Sequence, residues 1–350
     1  MASTTRIQDV VNSARSYAAL IPVLGESGWT QEPALTIAND VLQRFLSYGM
    51  DWKWNRSYVP SILTVALQQD YVTQVTDLGW LEQGWRIDIN NTSNSPTGQG
   101  VKPIFTMESV RDLGQTSTQA QPFQLSWIPN DRAFMGTWQP STVYPCGYGA
   151  QTVPRSPIQQ FIDANGNILF INSNTLGLSI NSPGGTVVTG TPYGTSGLVQ
   201  PVLPAASLPG ATVVDGTVTW TVADPNGIAI RLTALPPLGG LTWLVVPVYQ
   251  RKPVILTSIQ QVVRPIPDEF MYMFRRGFYA KCFEHAGTKN APVSYAQWEE
   301  EINIAVRSGD REREEAVFYP SESLTMNGPA RGTLPVGPAW PYSSFDGGGW

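Results

Sequence analysis

Apolar residues recur at helical spacing near the start of the chain: Ile7, Val10, Val11, Ala14 and Tyr17 share one side of a helix predicted over residues 5–19. Ser3 or Thr4 stands where a side-chain oxygen can accept the first free amide hydrogens. After a turn between Gly25 and Gly28, the stripe Leu35, Ala38, Leu42 and Phe45 predicts a second helix, capped by Thr30 and ending near Gly49. The period then falls to two. Alternation marks strands over 58–67, 85–89, 101–105 and 123–128, the last continued by 133–138 across an Asn130-Asp131 turn. A mainly antiparallel sheet is expected.

Between residues 151 and 227 charge nearly vanishes, and strand-like runs at 161–163 and 168–171 flank an Ala164-Asn165-Gly166 turn. A further run, 217–222, follows Asp215-Gly216, and Trp220 within it needs a core to pack in. Strands at 228–235 and 241–250 lead back to the first sheet, so 151–227 reads as an inserted β-module. Pro265 and Pro267 open a third helix with Asp268 and Glu269 in its first turn. Phe270, Phe274, Phe278 and Cys282 form its stripe; Tyr295, Trp298, Ile302 and Ala305 form that of a fourth helix after Pro292. Beyond Gly309 a mixed-charge run gives way to a Pro- and Gly-rich tail without period. The expected fold is α+β: a helical group from the N- and C-terminal helices packed on an antiparallel sheet, with an inserted all-β, sandwich-like module. Residues 1–150 and 228–308 make the core, 151–227 the module and 309–350 an extended C-terminal arm.

Composition sharpens this picture. Only 14% of the 350 residues are charged, against about 25% in ordinary globular domains. Such scarcity suits short strands joined by turns, and a subunit whose faces are covered by neighbours. The formal net charge of -5 argues against a protein that grips nucleic acid through a basic face. Cys146 and Cys282 are the only cysteines and lie far apart, so neither a disulfide framework nor a structural zinc site is expected. The opening residues lack a signal peptide's pattern, and the best apolar run, 241–248, has a strand's length; synthesis in the cytoplasm and no membrane are expected.

Candidate chemistry is sparse. His285 is the only histidine, and its place late on the third helix suits a partly buried helix end better than catalysis. Cys282 lies on an aromatic stripe and reads as core. No phosphate-cradling loop follows a strand. Asp163, Asp215 and Asp224 sit in turn contexts, so turn duty is preferred to paired acid-base work. Trp52, Trp54, Trp80, Trp85, Trp127 and Trp138 have rings that suit sugar faces, but their alternation favours core or interface. Arg275, Arg276 and Lys281 give the third helix a basic patch that could face passing DNA. No catalytic residue, metal or cofactor is expected.

The order of these pieces carries a resemblance. Two opening helices with Ala14-Arg15, a second helix running into Met50–Asn55, Tyr71 after a polar turn, a strand ending at Tyr249–Pro253, and Pro265-Ile266-Pro267-Asp268 before a long aromatic helix resemble the head-to-tail connector, or portal adaptor, proteins of tailed bacteriophages. The match spans residues 1 to about 110 and 228 to about 310. Residues 211–220, ATVVDGTVTW, are similar to a motif of small β-modules in phage tail and fibre proteins. The resemblance implies a homo-oligomeric ring of twelve copies, docked on the portal protein above and on a nozzle or tail-tube protein below. Genomic DNA would pass through the lumen in transient, non-specific contact, and the acidic balance suits that passage. The protein would then reside in the virion neck after synthesis in the host bacterium. The arm, with Phe318, Tyr319, Trp340, Tyr342 and Trp350, is the expected portal-docking element. A tail or fibre subunit that binds host-surface glycan through the β-module is the alternative, and a capsule or peptidoglycan hydrolase carried on the virion is a second competitor.

Overall fold

The computed structural model describes residues 4–17, 32–88, 93–94, 100–101, 104–145, 160–171, 179–180, 188–189, 193–205, 207–237, 243–289 and 291–307. Helix and sheet are both present, with four α-helices among the described residues. They are α1 (Ile7–Ala14), α2 (Ala34–Phe45), α3 (Met271–His285) and α4 (291–307). Contacts divide the chain into two units. One takes in described residues of Met1–Ser57, Asp77–Trp80 and 250–307, the other those of Tyr58–Thr76 and Leu81–Tyr249.

The first unit holds the helices. Ile7, Val10, Val11 and Ala14 of α1 and Leu35, Ala38, Leu42 and Phe45 of α2 are all buried, and they share one core with Phe274, Phe278, Cys282, Trp298 and Ile302. Tyr17 lies beyond the end of α1 and is half exposed, so the expected helix is shorter there; the other stripes do what their spacing predicted, since burying one face supplies most of a short helix's stability. Helix starts differ from expectation. The Thr4 amide donates to Asp268 Oδ1 at 3.2 Å, while Asp9 Oδ2 accepts the Arg6 amide at 3.1 Å, so an acid inside the first turn caps α1. Thr30 lies outside the described residues; at α2, Pro33 takes the cap position and Glu32 reaches forward to the Thr36 amide at 3.3 Å. On α3, Gly277 leaves the slot into which the Trp298 indole of α4 packs.

Eighteen strands follow in chain order: β1 (Arg56–Tyr58), β2 (Ile62–Leu63), β3 (Asp70–Val72), β4 (Leu78–Asp88), β5 (Ser93–Asn94), β6 (Gly100–Val101), β7 (Ile104–Ser109), β8 (Gln124–Pro129) and β9 (Val143–Pro145); then β10 (Gln160–Ile162), β11 (Ile168–Phe170), β12 (Ser179–Ile180), β13 (Val188–Thr189), β14 (Tyr193–Thr195), β15 (Thr212–Asp215), β16 (Val218–Val222), β17 (Ile228–Leu232) and β18 (Trp243–Arg251). The main sheet runs β1-β18-β4-β7-β8-β17-β3, with β2 also on β18. Strands β17 and β18 thus return to the first sheet as expected. Strand β7 pairs with β8 in parallel.

Three strand expectations need correction. Residues 58–67 are no continuous strand: β1 ends at Tyr58, β2 covers only Ile62–Leu63, and a turn follows at 66–67. Strand β4 starts at Leu78, well before Trp85, because Gly79 and Gly84 disguise its first half; a Cβ at Gly84 would strike the Leu125 side chain of the same unit. Residues 133–138 form no strand: after the turn at 130–132 the Phe134 amide donates to Asp70 Oδ2 at 2.7 Å, and that side chain replaces a ladder.

Within the second unit, β10, β11, β16 and β15 form a four-stranded sheet, and β9 pairs with β14. The hairpin at Ala164-Asn165-Gly166 sets Phe161 opposite Leu169, and the one at Asp215-Gly216 sets Val213 opposite Trp220. Trp220 is fully buried, with Tyr144 of β9 and Phe161 of β10 edge-on to its ring at 5.1 and 4.7 Å. This small sheet also shares apolar contacts with the main one, through Ile168 and Phe170 beside Val72 and Ala229.

Candidate functional site

The three aspartates singled out for acid-base work are held by neighbouring donors. Asp163 accepts the amides of Asn165 and Asn167 at 2.9 Å, the Leu203 amide at 3.0 Å and the Asn167 side chain at 3.0 Å. Burial alone would raise its pKa, but these hydrogen bonds outweigh burial and hold it below the usual carboxylate value. Asp215 receives the indole N–H groups of Trp138 (2.8 Å) and Trp220 (2.9 Å) on Oδ2 and the Gly197 amide on Oδ1. Asp224 accepts the Asn226 amide at 2.8 Å. These are the bonds of turns and of an aromatic core.

His285 ends α3 and is exposed, where partial burial was expected: the apolar stripe stops at Cys282, one turn earlier. Cys282 is fully buried, and desolvation pushes its thiol up to about 12, so at neutral pH it stays protonated and unreactive.

Helix α3 does not gather its three cations into one patch. At 100° per residue, Arg276 and Lys281 stand about 140° apart. Arg276 pairs with Glu301 of α4; Lys281 pairs with Glu284 at 2.8 Å and lies 4.6 Å over the Tyr295 ring. Arg275 is half-buried, and its Nε has no hydrogen-bond partner. Phe318, Tyr319, Trp340, Tyr342 and Trp350 lie outside the described residues.

The tryptophans separate into different roles. Trp52 stacks on Phe45 at 4.7 Å and donates to its carbonyl at 2.7 Å, so it is core. Trp138 serves Asp215, and Trp80 lies 5.3 Å from Tyr48. Trp127 is partly exposed on β8. Trp54 and Trp85 border two features that the sequence did not reveal.

The first is a cleft of about 480 Å3 in the helical unit, within the size range of small-molecule sites. Its floor is a trio of rings, Trp52, Trp54 and Phe270, with centroids 5.4–5.8 Å apart. Tyr272 (54% exposed) and Ile304 (59% exposed) line it too, and Asp51, Lys53 and Glu301 add charge. Trp54 Nε1 and Glu301 Oε2 are buried without a hydrogen-bond partner. The i, i+2 spacing of Trp52 and Trp54 was the available signal, but nothing in the sequence set it beside Phe270. The second is an apolar stripe on the main sheet. Trp85 and Ile87 project from one face of β4, Ile87 is directly opposite Ile104 of β7, and the Tyr58 ring lies 5.9 Å from that of Trp85. Tyr58 (54%) and Ile104 (62%) are well exposed.

Among the described residues no group of three or more His, Cys, Asp or Glu is arranged to hold a metal ion, and no helix is long and apolar enough to cross a membrane. No protein-family model, curated protein or solved structure matches the chain.

Proposed function

We propose that the chain is a non-enzymatic structural subunit of a bacteriophage virion, a head-to-tail adaptor that forms a ring beneath the portal, joins capsid to tail and lets DNA pass. The observation that supports this reading is the Tyr58, Trp85, Ile87 and Ile104 stripe: a row of apolar side chains on an outward sheet face suits a surface buried by another subunit. A head-to-tail contact that closes by rotation makes a ring, and each subunit then buries two different faces. The use of Asp163 and Asp215 as fixed acceptors leaves the order of elements and the low charge as the features to explain, and both suit an assembly subunit. The same proposal carries the finer fold expectation, an end-helix group packed on the sheet with the 151–227 module inserted, and assigns the arm from Gly309 to portal docking.

The test is the mass and negative-stain symmetry of the full chain, alone and mixed with its portal. Twelvefold rings, free or formed on the portal, are expected. A trimer indifferent to portal and retained on a polysaccharide column would overturn the reading in favour of a tail or fibre subunit.

A further inference from the structure

We propose that the second unit binds a neutral saccharide, in a pocket lined by Thr212 of β15, Thr221 of β16 and the segments beside them. The pocket holds about 370 Å3, within the size range of small-molecule sites. Thr212 and Thr221 stand directly opposite each other in register, so both side chains lie on one face of the small sheet. Thr212 is exposed, whereas Thr221 is only 4% exposed and its hydroxyl oxygen has no hydrogen-bond partner. A buried hydroxyl left without a partner is costly, and a ligand that bonds to it relieves that penalty. Gln74 is used up in the wall: its side chain donates to the Val222 carbonyl at 2.9 Å and accepts the Asp224 amide at 3.3 Å. Asp224 Oδ1 accepts the Asn226 amide at 2.8 Å, and its Oδ2 makes no hydrogen bond among the described residues. Gly210 turns with φ +85° and meets nothing within 4 Å where a Cβ would stand, so that side is open.

The lining selects the class of ligand. Three hydroxyls, those of Thr76, Thr212 and Thr221, each donate and accept, and the second oxygen of Asp224 accepts. Sugar hydroxyls have the same two capacities, so each finds a counterpart. No Lys, Arg or His lines the pocket among the described residues, which leaves Asp224 to repel an anion. No aromatic ring lines it either, so a flat heteroaromatic ligand has no face to stack on, while the threonine methyl groups and the Pro209 ring offer apolar contact to the C–H face of a pyranose. Among the described residues no cluster of acids is arranged for a metal ion. The inference does not rest on the adaptor reading: the pocket lies within one subunit, and its readout is the same for a ring or a trimer.

The experiment is saturation-transfer difference NMR on the full chain, with glucose, galactose, mannose and N-acetylglucosamine as separate probes and glucuronate as the charged control. At least one neutral sugar is expected to receive saturation, and glucuronate none. Thr221→Val keeps the shape of the side chain and removes a hydroxyl that bonds to nothing in the fold, so Tm should hold or rise. Sugar binding by that variant should weaken roughly two- to tenfold, the worth of one hydrogen bond. Silence from all four neutral sugars, an equal signal from glucuronate, or binding unchanged by Thr221→Val would overturn the proposal. So would a fall in Tm on that substitution, which would show the hydroxyl to be engaged within the fold.

Discussion

At the residue scale the polar interior of the sheet unit carries the sharpest consequences. Arg231 grips Asp70 with two hydrogen bonds, at 2.7 and 2.8 Å, and the carboxylate is fully buried. Asp70→Ala would leave a buried guanidinium without its counter-charge, a loss of about 3–5 kcal/mol that urea denaturation would read directly. Asp163 is held below its ordinary pKa, so the sign follows: its contribution is fully present above the unfolded value of about 3.9 and is lost as pH falls through the depressed folded value. Asp163→Asn should cost about 1–3 kcal/mol at pH 7. The gap between the two proteins should stay level down to about pH 5 and narrow below about pH 4. A gap that widened in acid would contradict the hydrogen-bond assignment. Cys282 gives a simpler reading. In a Cys146→Ser background the native protein should stay silent to a thiol reagent at pH 8 and react once unfolded, because burial holds the thiol protonated.

At the scale of elements, Gly277 decides how α3 meets α4. Alanine in mid-helix is worth about 1 kcal/mol over glycine, yet a Cβ here would overlap the Trp298 ring, and overpacking of that kind costs typically 1–3 kcal/mol. Steric cost should win: Gly277→Ala is expected to lower Tm, and Gly277→Ala with Trp298→Phe to recover part of the loss. This contact also shows what the sequence could disclose. Both helices were legible because burial of Phe274, Phe278, Trp298 and Ile302 repeats at helical spacing, but no spacing marks Gly277 as the seat of a ring from α4. The same blindness hid the first half of β4, where Gly84 makes room for Leu125. The cap of α1 escaped because Asp9 acts backwards from inside the helix, and the 133–138 run escaped because its amide bonds to Asp70 instead of a strand. The cleft gathers Trp52, Phe270 and Ile304 from three separate parts of the sequence. Each piece had a visible local pattern; their meeting is a tertiary fact that no period encodes.

At the scale of the whole molecule the open question is which surfaces stay wet. Alternation along β4 predicts two faces but not which of them a neighbour covers, so the stripe of Tyr58, Trp85, Ile87 and Ile104 could be found only once β4 and β7 were paired in register. Ile104 is 62% exposed in the single chain, and a lysine there should change folding stability by no more than about 0.5 kcal/mol. Between subunits the same lysine would be a buried, unpaired charge, which is costly wherever it cannot find a partner. Ile104→Lys is therefore expected to keep the Tm of the natural chain while losing the rings, alone or on the portal, in sedimentation and negative stain. Rings that formed undiminished would free this face from the interface and leave the assembly to other surfaces. A fallen Tm would instead make the stripe part of the subunit's own core.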